Sequence, residues 1–184
     1  MSLIHKKVAP FSVHAYQNDQ FIDVTEQDLL GHWSVMVFYP ADFTFVCPTE
    51  LGDLAENYEA FKKINCEVYS VSTDSHFTHK AWHDESDTVR QVQYPMLGDP
   101  GAVLARDFEV LVEKDWQALR GSFVINPEGE IVAYEVNDTS IGRDSSELLR
   151  KVEAAQFVAE NGDQVCPARW KPGQKTLKPG YDLV

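Results

Sequence analysis

Three cysteines, Cys47, Cys66 and Cys166, are the side chains in this sequence best suited to covalent chemistry. A thiol reacts as its thiolate, so a useful cysteine needs a helix N-terminus or fixed cations beside it. Cys47 has the first by position. The run Pro40-Ala-Asp-Phe-Thr-Phe-Val-Cys47 leaves an apolar, strand-like segment, and Pro48-Thr-Glu50 suits the first turn of a helix. Peptide N–H groups and the positive end of the helix dipole should therefore face the sulfur. Thr44, three residues earlier, is spaced to bring its hydroxyl back toward it. No local cation is available, since the next basic residues are Lys62 and Lys63. Arg120 can supply one if the segment that it opens, Gly121 to Ile125, lies beside Ser34 to Tyr39; a guanidinium stays charged and offers several donors at once. Position alone leaves both residues open. Cys47 equally fits a buried small hydrophobe, and Arg120 a solvated arginine at a strand entrance.

The remaining candidates read as structural. Cys66 ends Phe61-Lys-Lys-Ile-Asn-Cys66 just before a strand. The three cysteines are too few and too scattered for a disulfide framework, and no C-x2-C pair exists. His76, His79 and His83 could share a helix face, but no nearby cysteine completes a metal site.

Elements that could position these residues follow from the apolar pattern. Phe21 to Val24 reads as a short strand before a Thr25-led acidic turn, and Ser34 to Tyr39, with little alternation, as a strand buried on both faces. Leu51, Leu54, Ala55, Tyr58 and Phe61 recur at helical steps between Pro48 and Lys63. Val68 to Ser72 is a second strand, His76 to Ser86 a helix, and Pro100 to Phe108 a short helix after Gly98-Asp99. Ser122 to Ile125, the turn Asn126-Pro-Glu-Gly129 and Glu130 to Val136 form a hairpin, and Asp144 to Val158 an amphipathic helix. This β-α-β then β-β-α order describes an α/β thioredoxin-like sandwich. Residues 1–160 form the main domain. Residues 161–184 form an arm punctuated by Gly and Pro, whose Trp170 predicts that it docks on something, another subunit being one choice.

Composition excludes several functions. The 184 residues fit one domain with a tail, and 43% hydrophobic content rules out disorder. A formal charge of −13 repels phosphate backbones and anionic lipid, so neither nucleic acid nor membrane is an expected partner. Lys6 and Lys7 precede no apolar block of signal-peptide length, and Val35 to Tyr39 is far short of the roughly 20 residues a membrane helix needs. The chain reads as soluble and cytoplasmic.

The segment Phe38-Tyr-Pro-Ala-Asp-Phe-Thr-Phe-Val-Cys-Pro-Thr-Glu50 resembles the active-site segment of the typical two-cysteine peroxiredoxins. The resemblance continues through Val71-Ser-Thr-Asp74, His79-Lys-Ala-Trp82, Gly98-Asp-Pro100, Arg120, Ile141-Gly-Arg-Asp144 and Val165-Cys-Pro-Ala-Arg-Trp170. It spans nearly the whole chain and is nearest to the bacterial alkyl hydroperoxide reductase peroxidase subunits. It implies a peroxidase without cofactor or metal, acting on hydrogen peroxide and small alkyl hydroperoxides. Cys47 would be the peroxidatic cysteine and Cys166 the resolving one, with their disulfide formed between subunits. Thr44 would orient sulfur and peroxide, Pro40 shield the site from water, and Arg120 stabilise the thiolate and the leaving oxygen. Glu50 and Arg143 would hold Arg120, and Trp82 would pack beside the loop. The electron donor implied is a flavoprotein disulfide reductase, with thioredoxin second, and the assembly is a homodimer joining into a decamer. A holdase chaperone and a peroxide-sensing redox relay are the alternative functions on the same scaffold. The easily overoxidised relatives carry a Gly-Gly-Leu-Gly insertion and a C-terminal Tyr-Phe pair; this chain has Gln91-Val-Gln-Tyr-Pro-Met-Leu-Gly98 and Gly180-Tyr-Asp-Leu-Val184 instead. Resistance to overoxidation is the expectation.

Overall fold

The computed structural model describes residues 2–180. Strands β1 (Ser12–Gln17) and β2 (Gln20–Thr25) form a hairpin whose two turn residues, Asn18 and Asp19, both take left-handed backbone, as a two-residue turn matching strand twist requires. A single 3-10 turn, Glu26–Leu29, follows, with Thr25 and Asp28 closing a capping box. Then come β3 (Trp33–Phe38), α1 (Cys47–Lys63), β4 (Cys66–Ser72), α2 (His76–Glu85), β5 (Met96–Gly98) and α3 (Val103–Asp107). A small ribbon, β6 (Leu111–Val112) with β7 (Gln117–Ala118), leads to β8 (Arg120–Ile125), β9 (Ile131–Asn137) and α4 (Ser145–Glu160).

Seven strands make one sheet in the order β2-β1-β5-β4-β3-β8-β9. Strands β3, β4 and β5 run parallel, and β8 pairs with β3 antiparallel. β3 is therefore central and covered on both faces, which is why its apolar residues do not alternate with polar ones. Met36 and Phe38 pack with Phe108, Phe123 and Leu104 on one side. Val35 and Val37 pack with Leu51, Leu54, Phe61, Leu148 and Val152 on the other, beneath α1 and α4.

The α/β sandwich expected from the element order is present, and the hairpin of β8 and β9 and the two long helices lie where the pattern put them. β1 was not legible, because only Ala15 and Tyr16 of its six residues are buried. β5 is three residues long and abuts the Gly98-Asp99-Pro100 turn. α3 starts later than the Pro100 start expected, because Ala102 sits at φ +51°; the Asp99 carboxylate instead caps it, accepting from the N–H groups of Val103 (2.8 Å) and Ala105 (2.9 Å).

Beyond α4, the tail closes on itself through a bridge between Val165 and Leu177. Trp170 is buried against Phe157 of α4, and its carbonyl accepts from Arg150 Nη1 at 3.1 Å. The tail thus docks on its own chain here. Residues 181–184, on which the reading of a missing Tyr-Phe pair falls, lie outside the described residues. No helix among the described residues is long and apolar enough to cross a membrane.

Candidate active site

β3 delivers the chain to residues 39–46, and α1 begins at Cys47 itself. Pro48 occupies the second helical position and Glu50 the first turn, both matched to a helix start. Val46 already has helical dihedrals and supplies no side-chain cap. Cys47 is fully buried on the face shared with Leu51 and Val37.

The β3–β8 register explains the cation beside it. Val37 pairs with Ser122, so two residues further along Arg120 comes level with Tyr39, where the loop before Cys47 departs. Arg120 Nη1 lies 3.5 Å from Cys47 Sγ and 2.6 Å from Glu50 Oε2, while its Nε donates to the Thr139 carbonyl at 2.8 Å. Arg143, in the loop between β9 and α4, grips the same carboxylate side-on through Nε to Oε1 (2.8 Å) and Nη2 to Oε2 (2.9 Å). Its backbone N–H adds a third bond, and Nη1 reaches the Gly121 carbonyl at 2.8 Å. Burial alone would raise the Glu50 carboxyl, but the guanidiniums of Arg143 and Arg120 outweigh it and hold it below the usual carboxylate value. One buried carboxylate therefore fixes two buried guanidiniums, and one of these is aimed at a thiol. The arrangement can stabilise an anionic sulfur and an oxygen gaining charge next to it.

Pro40 is buried beneath the loop, and Thr44 Oγ1 donates to the Ala41 carbonyl at 2.8 Å. The Thr44 hydroxyl proton is thus committed to the loop, leaving its oxygen lone pairs open. Trp82 of α2 is buried against Tyr39 and Phe43, with ring centroids 6.2 and 5.9 Å apart. Phe45, two residues before the buried sulfur, is 93% exposed.

The structure does not bring the other cysteines to Cys47, and all three are free thiols. Cys166 is half-buried against α4, with Sγ 3.8 Å from the Ala154 carbonyl, and it lines an apolar groove with Val132, Ala133, Ala155 and Val165. Burial raises its thiol and Arg150 partly offsets that. Cys66 opens β4, and burial pushes its thiol far above the ordinary value, with Glu67 adding to the effect.

The resemblance put His79 and Trp82 near the pocket, but sequence reasoning missed the contacts by which His79 and its partners hold the loop. Asp42, Tyr39 and His79 form a buried polar cluster behind it, with the half-buried Asp74 at its edge. His79 and Asp42 both lie inside the motif segments quoted above, but their pairing depends on how α2 is turned against the sheet.

The chain matches the AhpC/TSA family over residues 4–134, and the C-terminal domain of 1-Cys peroxiredoxin over residues 154–184. It is 55% identical to alkyl hydroperoxide reductase C of Salmonella typhimurium and of Bacillus subtilis, in both cases over all of this chain and 98% of the relative. Among solved structures, Enterococcus faecalis AhpC superposes with a TM-score of 0.89 at 55% identity, covering 91% of this chain and 100% of that one. The reduced Plasmodium vivax 2-Cys peroxiredoxin superposes at 0.93 with 31% identity, covering 98% and 95%.

Proposed function

Because the chain belongs to the AhpC/TSA family and is a peroxiredoxin enzyme, a peroxidase of hydroperoxides recycled by a reductase, we propose that Cys47 is its peroxidatic thiol and Cys166 its resolving one. The Cys47 thiolate attacks the terminal peroxide oxygen; the O–O bond breaks, water or an alcohol leaves, and the sulfur becomes a sulfenic acid. Arg120 stabilises the sulfur anion before the step and the departing oxygen during it. The observation that carries this reading is the single Arg120 nitrogen shared between Cys47 Sγ and Glu50. Glu50 and Arg143 act as positioning residues for Arg120, Thr44 orients the peroxide through its open lone pairs, and Pro40 and Trp82 keep the loop packed and water out.

The Cys166 thiol of a second copy of the chain then attacks the sulfenic sulfur, forming the disulfide and releasing water. The separate environments of Cys47 and Cys166 within one chain support this intersubunit step. We further propose the 161–184 arm as the unit that presents Cys166, hydrogen peroxide and small alkyl hydroperoxides as substrates, a flavoprotein disulfide reductase as donor with thioredoxin second, a dimer that assembles into a decamer, and a cytoplasmic setting. No described feature favours the chaperone or relay alternatives.

The test is disulfide mapping by mass spectrometry of fully reduced protein after one equivalent of hydrogen peroxide, with a non-reducing gel of the same sample. A dimer-sized band carrying a Cys47–Cys166 link is expected. A Cys47 sulfenic acid without that link would leave the peroxidatic role and remove the resolving one, and three unreacted thiols would refute both.

A further inference from the structure

Contacts that the peroxide chemistry does not use hold residues 40–46 in place. Cys47 Sγ is fully buried at the first residue of α1, so it cannot meet a second sulfur until the loop and the first helical turn let go. Asp42 ties this loop down. Its Oδ1 accepts from the Tyr39 hydroxyl at 2.7 Å, its Oδ2 faces His79 Nδ1 at 2.7 Å, and its backbone N–H donates to Asp74 Oδ2 at 2.9 Å. His79 Nε2 faces the Leu97 carbonyl of β5 at 3.0 Å. Each ring nitrogen thus has a buried oxygen partner, one on the loop and one on β5. The Asp42 and His79 side chains are both fully buried. The pair is thus a shielded polar tie whose ring is fixed to α2 and β5 and whose carboxyl group rides on the loop.

A second feature shows that the loop is held against its own preference. Phe43, next to Asp42, sits at φ +54°, a left-handed conformation that a bulky side chain keeps only where its surroundings enforce it. Trp82, one turn beyond His79 on α2, packs against Phe43 from below. α2 therefore grips the loop at two points, by the His79–Asp42 contact and by ring packing.

We infer that His79 is a positioning residue: through Asp42 it latches the loop in the buried-thiol conformation and sets how the Cys47 sulfenic acid divides between two fates. This rests on the roles of Cys47 and Cys166 given above. With the latch shut, a second hydroperoxide oxidises the sulfenic sulfur: its O–O bond breaks, one oxygen joins the sulfur to give a sulfinic acid, and water or an alcohol leaves. With the latch open, the Cys166 thiol attacks the same sulfur, an S–S bond forms, and the sulfenic hydroxyl leaves as water with the thiol proton. A weaker latch shifts the division toward disulfide.

The experiment titrates reduced full-length protein with hydrogen peroxide and measures by mass spectrometry the ratio of Cys47–Cys166 disulfide to Cys47 sulfinic acid. His79→Asn keeps a hydrogen-bonding group for Asp42 but removes the ring and its tie to Leu97. Tyr39→Phe removes one hydrogen bond to the same carboxyl group and leaves the His79 contact intact. Loss of buried hydrogen bonds to Asp42 should raise the ratio about tenfold in His79→Asn and several-fold in Tyr39→Phe. Phe108→Leu, which loosens the core on the opposite face of the sheet, should leave it at the wild-type value. A folded His79→Asn protein with the wild-type ratio overturns the inference, as does an equal rise in Phe108→Leu. If His79→Asn does not fold, an unchanged ratio in Tyr39→Phe overturns it alone. Failure of the wild-type protein to form the link at all would instead remove the resolving role of Cys166.

Discussion

Arg120→Ala is the substitution that weighs most directly on the proposed chemistry. At the 3.5 Å between Arg120 Nη1 and Cys47 Sγ, opposite unit charges in a medium of effective dielectric about 20 attract by about 5 kcal/mol. Glu50 Oε2, 2.6 Å from the same nitrogen, opposes part of that field. If about half survives, roughly 2.5 kcal/mol of thiolate stabilisation is lost, which is close to a 70-fold change. Removing a donor aimed at the leaving oxygen adds a further factor of about 10²–10³ to the peroxide reaction but not to simple alkylation. Two assays therefore separate the two roles. Iodoacetamide alkylation of reduced Cys47 at neutral pH should slow about 70-fold, whereas rapid-mixing oxidation by hydrogen peroxide should slow by about 10⁴ or more, the product of the two effects. Arg120→Lys, which keeps the charge and loses the fork, should fall between. Arg143 still binds Glu50 through two side-chain donors, so the protein should remain folded. Alkylation and oxidation rates within about threefold of wild type in a folded Arg120→Ala protein would remove Arg120 from the mechanism.

Glu50 makes stability depend on pH with a definite sign. Its carboxyl is held below the usual value in the folded protein, so its contribution is complete above about pH 4.5 and is lost as pH falls through the lower folded value; melting temperatures measured across that range should drop in wild type and show a shallower dependence in Glu50→Gln. Native Cys66 should resist alkylation because burial keeps it protonated, and Cys66→Ala should turn over at the wild-type rate in a coupled peroxidase assay; rapid native labelling would contradict the structural role. At a small excess of hydrogen peroxide, mass spectrometry should find Cys47–Cys166 disulfide well before sulfinic acid at Cys47, and the reverse order would refute the expected resistance to overoxidation.

Much of the frame was legible because burial leaves a plain mark on composition. The unbroken apolar run of β3, the three- and four-residue steps of α1 and α4, and the Asn126-Pro-Glu-Gly129 turn each point to one local structure. The approach of Arg120 to Cys47 was open from spacing alone and needed only the pairing of β3 with β8. Glu50 and Arg143 were reached through resemblance: residues 93 apart meet because the loop after β9 folds back across α1, which no local pattern encodes. The same holds for Asp42 and His79, whose contact depends on the rotation of α2 about its axis. Short strands such as β5 bury too few residues to announce themselves, and the positive dihedrals of Ala102 and Phe43 leave no trace in side-chain type.

Val46 leaves the first turn of α1 without a side-chain cap, and anyone breeding this enzyme for toughness would meet that residue early. A serine or aspartate there cannot cap while residue 46 keeps its helical dihedrals; with the backbone swung to the extended form that capping needs, it would ordinarily add about 1 kcal/mol, worth about 2–4 °C of melting temperature in a protein of this size. On the proposed cycle, the turn it would firm up is the one that has to come undone before Cys47 meets Cys166, and about 1 kcal/mol placed there slows opening by about fivefold. Durability and throughput are thus opposed at a single position. A screen that scores heat resistance alone would choose the slower catalyst, and gains without that conflict are to be sought in parts that stay folded throughout, such as the middle of α4.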